Sequence, residues 1–211
     1  MSEFLLELQG GVQVLRLHSE DGTNRLTRRR VLSLTDQIGR LTQPASRPEV
    51  AGTAGAVIAG LVIAGNARFF SAGADLAEIS ALDGPSAYEF SKLGQALMAA
   101  VADFPAPVYA AIAGYCMGGG LDLALACHHR IASPHAIFGH RGAALGLITG
   151  WGGTQRLPRL IGKARALEMF VAAEKITVPH ALDIGLIDAI AEDPVTDAVQ
   201  RMAPGIKHNR V

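Results

Sequence analysis

An α/β layered fold built on parallel strands is what this sequence predicts, from three observations. The runs 56–64 and 107–113 are continuously apolar, as strands buried on both faces of a parallel sheet are. Each is followed by small residues and then by a helix-compatible stretch. Along the chain, strand-like runs alternate with amphipathic helical patterns, the order of a layered α/β domain.

The elements follow in order. Val12-Gln-Val-Leu-Arg-Leu17 alternates and is expected to be a strand, paired as a hairpin with residues 4–8 across Gln9-Gly-Gly11. Residues 21–24 make a turn. Thr27 then suits the N-cap of a helix over 28–41, with Val31, Leu34, Ile38 and Leu41 on one face. Residues 43–55, with two prolines and two glycines, are expected to be a loop before the first buried strand. Residues 66–73 read as a turn, 74–79 as the start of a helix, and 85–103 as a longer helix stopped by Pro105 and Pro107.

After the second buried strand, Gly118-Gly-Gly120 leads into a helix through 121–127. Residues 130–132 and 136–138 are short extended pieces, and 139–153 is a glycine-rich loop. Helices are expected from Thr154, over 163–173 and over 179–184, with a last strand at 185–190. The division is a core domain, 1–190, and a short, polar, irregular C-terminal tail, 191–211.

Composition narrows the function classes. The 211 residues are 49% hydrophobic and 18% charged, enough for one domain with a substantial core. Nineteen basic and nineteen acidic residues cancel, which argues against nucleic acid as a partner. Arg28-Arg-Arg30 is the local exception, either a solvated patch or a phosphate contact. Cys116 and Cys127 sit in apolar surroundings without metal-ligand spacing, as buried free thiols of a reducing compartment do. His128-His129 likewise lacks a partner at metal spacing and reads as structural. No metal is expected. No apolar run reaches the roughly 20 residues that span a bilayer, and the N-terminus lacks a signal-peptide layout, so the expected location is cytoplasmic, without a membrane partner.

The chemistry concentrates at two strand-to-helix junctions, Phe70-Ser-Ala-Gly-Ala-Asp-Leu76 and the Gly118-Gly-Gly120 turn. If their strands share one parallel sheet, both junctions lie at its carboxyl edge, where ligands bind. One backbone N–H from each can then converge on a single oxygen atom, reinforced by helix dipoles. Asp122, in the first turn after the triplet, suits either catalysis or matching of the helix dipole. A dinucleotide fold is set aside because the glycines do not give G-x-G-x-x-G.

These two blocks, with Ala136-Ile-Phe-Gly139, Leu145-Gly-Leu-Ile148, Gly152-Gly-Thr-Gln-Arg-Leu-Pro-Arg-Leu-Ile-Gly162, Ala181-Leu-Asp-Ile-Gly-Leu-Ile187 and the early Asn24-Arg-Leu26, resemble the crotonase, or enoyl-CoA hydratase/isomerase, superfamily. The resemblance covers about residues 12–190. It implies a ClpP/crotonase-type spiral of ββα units, with parallel sheets flanked by helices. It also implies an acyl-CoA thioester as substrate, with coenzyme A entering only as part of it and no separate cofactor. By motif position the thioester oxygen is held by the backbone N–H groups of Ala74 and Gly119. Ala72, Ala74, Asp75, Leu76, Ala77, Gly118 and Gly119 line the substrate and CoA site, and a thioester enolate is the shared intermediate.

Hydratases of the family use two glutamates. Asp122 stands at the first position, its carboxylate drawn back by one methylene, and a misplacement of about 1 Å can cost about a hundredfold in rate. Gly142 stands at the second, with Arg141 where proline is usual. His140 is the nearest group able to substitute, or else a hydrogen-bonded structural histidine. Trp151 replaces a small residue and either narrows the acyl pocket or packs beneath a loop. Relatives continue with helices that cover the site and help build trimers. Here residues 191–211 remain, so a truncated C-terminal helical region and a correspondingly weakened homo-trimer or hexamer are expected.

The expected function is hydration or double-bond isomerisation of an enoyl-CoA, with Asp122 as sole acid/base. The alternatives are a thioester hydrolase or decarboxylase of the same family, or a non-catalytic acyl-CoA binder.

Overall fold

The computed structural model describes residues 3–43 and 58–203. Two sheets organise them. The larger has the order β1 (Phe4–Gln9), β2 (Val12–Leu17), β3 (Gly60–Ala64), β5 (Val108–Ile112), β7 (His129–Ala132), β10 (Ala189–Ile190), and the smaller β4 (Phe69–Ser71), β6 (Tyr115–Met117), β8 (Ile137–Gly139), β9 (Ile176–Thr177). The opening hairpin pairs β1 (Phe4–Gln9) with β2 (Val12–Leu17) across a two-residue turn at Gly10-Gly11, as the alternation predicts. From β2 onward the larger sheet is parallel through β3 (Gly60–Ala64), β5 (Val108–Ile112), β7 (His129–Ala132) and β10 (Ala189–Ile190). Both apolar runs are thus central strands. The expected loop 43–55 and the start of the first run lie mostly outside the described residues.

Period two divides the larger sheet between two apolar layers. Leu15, Leu17, Leu61, Ile63, Ala110 and Ile112 face the main core, which they share with residues of α1 (Arg28–Thr42), α3 (Gly84–Ala102) and α4 (Gly119–Ala126). Val12, Val14, Val62, Ala64, Ala111 and Ile131 face the other way, onto Ala198 of α8 (Pro194–Met202). Thr27 caps α1 by accepting from the Arg30 backbone N–H, and Asp83 and Ser86 close a capping box at the start of α3.

Helices form near the expected positions at α6 (Lys163–Ala172) and α7 (Val178–Asp183), and α8 corrects the expectation of an irregular tail. Asp193 accepts from the Val195 and Thr196 backbone N–H groups, and Pro194 occupies the first helical turn. These local signals start a helix whose buried Ala198 fits the sheet. A Cβ on Gly60 would lie 2.1 Å from the Met202 sulfur, so that strand glycine makes room for the helix end.

Two further corrections concern short strands. The expected turn 66–73 contains β4 (Phe69–Ser71), and β6 (Tyr115–Met117) intervenes between β5 and the glycine triplet. Each central strand therefore crosses from the larger sheet to the smaller before its helix, giving the ββα unit. The crossing points are tight: a Cβ on Gly65 would lie 2.2 Å from the Phe69 carbonyl oxygen, and one on Gly114 would lie 2.1 Å from that of Arg68. β4, β6 and β8 (Ile137–Gly139) run parallel, and β9 (Ile176–Thr177) closes the smaller sheet antiparallel to β8. The expected last strand shrinks to β10, because 185–188 turn before it.

Candidate active site

Both junctions lie at the carboxyl ends of adjacent parallel strands, β4 and β6, in the smaller sheet rather than in the one holding the long apolar runs. The first, residues 71–75, is fixed from the N-terminal side. Asn24, fully buried and with φ +52°, donates from Nδ2 to the carbonyl oxygens of Phe69 (3.0 Å) and Phe70 (3.2 Å). Ser71 Oγ donates to the Asn24 carbonyl at 2.7 Å and accepts from Gly73 N at 3.1 Å. Ala72 N donates to Thr23 O, and Leu26 N to Gly73 O. Asp75 then caps α2 (Leu76–Ser80), accepting from Ala77 N and Glu78 N. Chiefly the Glu78 N–H, then that of Ala77 and Arg25, hold its carboxyl below the usual range.

At the second junction each glycine of the triplet has its own reason. Gly118 has φ +51° and ψ −121°, a region open to glycine. A Cβ on Gly119 would lie 2.5 Å from the Trp151 ring and 3.3 Å from Ala74 N. One on Gly120 would lie 2.7 Å from both Cβ and the carbonyl oxygen of Ser71, so α4 packs directly on the first junction. A Cβ on Gly73, whose φ is +93°, would lie 3.0 Å from Gly119 N, so the Ala74 and Gly119 amides come close together. Neither amide has a hydrogen-bond partner among the described residues. Two free N–H groups side by side at a helix start are a site for an anionic oxygen.

They open onto a cavity of about 290 Å³. Among the described residues, Asp122 is the only carboxylate on its lining. It is 2% exposed and both its oxygens are engaged. His140 Nε2 lies 2.9 Å from Oδ1, and the Thr149 hydroxyl donates to Oδ2. His140 is 4% exposed, packed edge-on to Phe170. A Cβ on Gly153 would lie 2.3 Å from Asp122 Oδ1, so the start of α5 (Gly153–Ile161) is held open for the carboxylate.

Of the residues expected to line the substrate site, Ala72, Ala74, Leu76, Gly118, Gly119, Asp122, His140 and Trp151 meet at this cavity. Asp75 and Ala77 lie off its lining. Asp75 faces a separate polar cleft with Arg25 and Glu78. Gly142 is on the wall and accepts from Leu145 N and Leu147 N in a 3₁₀ turn. Sequence reasoning missed Thr149, Ser71 and Gly153. No local signal marks Thr149, whose partner is 27 residues away.

Several side expectations are settled nearby. Arg30 is buried, donating to Glu3 and to the Arg25 and His18 carbonyls, and Arg29 also pairs with Glu3. The arginine cluster is therefore not a uniformly solvated patch. Arg28 sits 5.6 Å over the Phe90 ring. His128 is structural: Nδ1 accepts from Val108 N at 2.8 Å. Both cysteines are buried free thiols, and burial pushes Cys127 up to about 12. No helix among the described residues is long and apolar enough to cross a membrane.

The sequence matches the family Enoyl-CoA hydratase/isomerase over residues 51–208. The chain belongs to that family, within the crotonase superfamily. A curated relative, the "Probable enoyl-CoA hydratase" of Bacillus subtilis (strain 168), is 47% identical over 134 residues, 63% of this chain and 52% of that protein. The chain thus spans about half the length of that relative. A solved structure of Pseudomonas aeruginosa DspI matches with TM-score 0.86 and 32% identity over 96% of this chain and 74% of that one. The enoyl-CoA hydratase of Bacillus anthracis matches with TM-score 0.84 and 28% identity over 95% and 75%.

Proposed function

We propose that this protein acts on an enoyl-CoA thioester, stabilising its enolate between Ala74 N–H and Gly119 N–H and moving protons with Asp122 as its single carboxylate. The observation that carries this reading is the pair of unpartnered amides and the buried carboxylate on one cavity. Double-bond isomerisation is the most economical reaction there, because one group suffices. On a 3-enoyl-CoA, Asp122 takes a proton from the carbon next to the thioester carbonyl, and the electron pair delocalises onto the oxygen held by the two amides. The proton held on Asp122 exchanges with solvent, a proton is delivered to the carbon at the far end of the double bond, and the pair re-forms the shifted bond. No other reagent enters. Hydration draws on the same residues, with Asp122 taking a proton from water and delivering it next to the carbonyl. His140, against Asp122 Oδ1, orients the carboxylate during either transfer.

The absence of a second carboxylate from the described lining favours a second reading, in which only the oxyanion hole works, on a thioester hydrolysis or decarboxylation. One experiment separates the readings. The protein is incubated in D2O with a panel of acyl- and enoyl-CoAs and the products are weighed by mass spectrometry. Deuterium at the carbon next to the carbonyl or at the far end of the shifted double bond, lost in Asp122→Asn, supports enolate chemistry; added water marks hydration. Freed CoA or lost CO2 that persists in the variant supports the second reading. Binding without any product marks a non-catalytic acyl-CoA binder.

A further inference from the structure

We infer that Trp151 is the end wall of the acyl site and restricts the protein to short acyl chains, an inference resting on the thioester reading above. The ring spans the gap between two helices. Its pyrrole edge lies against Gly94 of α3, where a Cβ would be 2.1 Å from both Cδ1 and Nε1. Its benzo edge lies against Gly119, where a Cβ would be 2.5 Å from Cζ3 and 2.7 Å from Cε3. An indole fits only because both positions are glycine.

Two further contacts fix the ring. Nε1–H donates to the Phe90 carbonyl at 3.2 Å, and the Phe90 ring packs edge-on at 5.3 Å. The side chain is 4% exposed. A tryptophan held on both edges and by its only donor cannot swing aside at little cost, so it acts as a rigid surface.

Its place is next to the reacting atoms. Gly119 supplies one of the two amides for the thioester oxygen, and the ring touches Gly119 itself. The acyl chain starts one bond from that oxygen's carbon and so meets the indole within its first few carbons. The cavity, about 290 Å³, is at the small end of ligand pockets, which run from about 300 to 1,000 Å³, and it must also admit the thioester end of the CoA arm. Trp151 is thus a specificity-determining residue that selects short acyl thioesters.

Trp151 is the only tryptophan in the chain, so it also reports on its own site. The test uses the full chain with 2- and 3-enoyl-CoAs of four, six, eight and twelve carbons. Deuterium uptake is one readout, and tryptophan emission on titration with the matching saturated acyl-CoAs is the other. In the unaltered protein, kcat/KM is expected to fall at least about tenfold from four to eight carbons, since one methylene too many or too few in an apolar pocket is worth about 10–200-fold. Emission is expected to shift with the four-carbon acyl-CoA more than with free CoA.

Trp151→Leu and Trp151→Ala are expected to reverse the order and favour eight carbons or more. Equal use of four and twelve carbons by the unaltered protein, or a length profile unmoved by Trp151→Leu, overturns the inference alone. Length-dependent emission without deuterium uptake overturns the enolate reading and upholds the wall. If no acyl-CoA perturbs the emission or is converted, both fall. The emission arm needs no substituted protein, so it decides even if Trp151→Ala fails to fold.

Discussion

Asp122 sits among groups that hold both oxygens of its carboxylate by hydrogen bonds. His140 engages one oxygen and Thr149 the other, leaving further lone pairs for a substrate proton. Asp122→Asn keeps the shape and removes the base. Deuterium exchange is expected to fall by about 10²–10⁴, the usual worth of a positioned acid/base, while the tryptophan emission change on acyl-CoA binding persists. Gly153→Ala acts on the same atom from the other side. Its Cβ would meet Asp122 Oδ1 at 2.3 Å and Thr149 Cγ2 at 2.8 Å, so the carboxylate must move. A shift of about 1 Å is expected to lower kcat about a hundredfold with KM little changed. Steady-state kinetics on the same enoyl-CoA check this, and an unchanged kcat would show that the carboxylate's position is not critical.

At the scale of elements, the first strand-to-helix junction depends on a turn more than forty residues earlier. Asn24 makes two hydrogen bonds to the β4 backbone, one of them fully buried, from a left-handed conformation. Asn24→Ala loses both bonds, at about 1 kcal/mol each, and adds strain at positive φ of about 1–2 kcal/mol. A loss of about 3–4 kcal/mol by denaturant titration is expected, and Asn24→Gly should recover the strain part only. Asp21 supports the same turn. The Thr23 backbone N–H, then the Thr23 and Ser19 hydroxyls, pull its carboxyl down to about 2, against an ordinary value of 3.8. A lowered folded value means the contribution is present above about pH 4 and is lost as pH falls toward 2. Melting curves from pH 5 to 2 should show a loss in the unaltered protein that Asp21→Asn has already suffered at pH 5. The difference is small, since Asp21 is half exposed.

For the whole molecule, α8 is a layer and not an appendage. It covers the second apolar face of the larger sheet, including Val12, Val14, Val62 and Ile131. Ala198→Asp places an unpaired carboxylate on that face at a fully buried position and is expected to cost about 2–4 kcal/mol. In a chain of this size each kcal/mol lowers Tm by about 2–4 °C, readable by calorimetry. The site lies toward the other face, across the main core. Isotope exchange measured well below the new Tm should therefore stay near normal.

The central strands, the capped helix α1 and the two strand-to-helix junctions, with Asp122 just after the second, were legible in the residues alone, because each rests on a local pattern. Apolar run length, a threonine cap and a glycine triplet are written within a few residues. The division into two sheets was not legible. β4 and β6 have only three residues each, too few for a period, and they form because Gly65 and Gly114 let the backbone turn against a neighbouring carbonyl. The triplet itself read as one bare surface for a ligand, whereas folding assigns its glycines to backbone conformation, to the indole and to Ser71. The partners of Asp122 and the seat of Trp151 were likewise decided only in three dimensions. His140 is 18 residues from Asp122, and Gly94 lies 57 before Trp151. Contacts at such separations come from how the ββα units stack, and no local pattern specifies that.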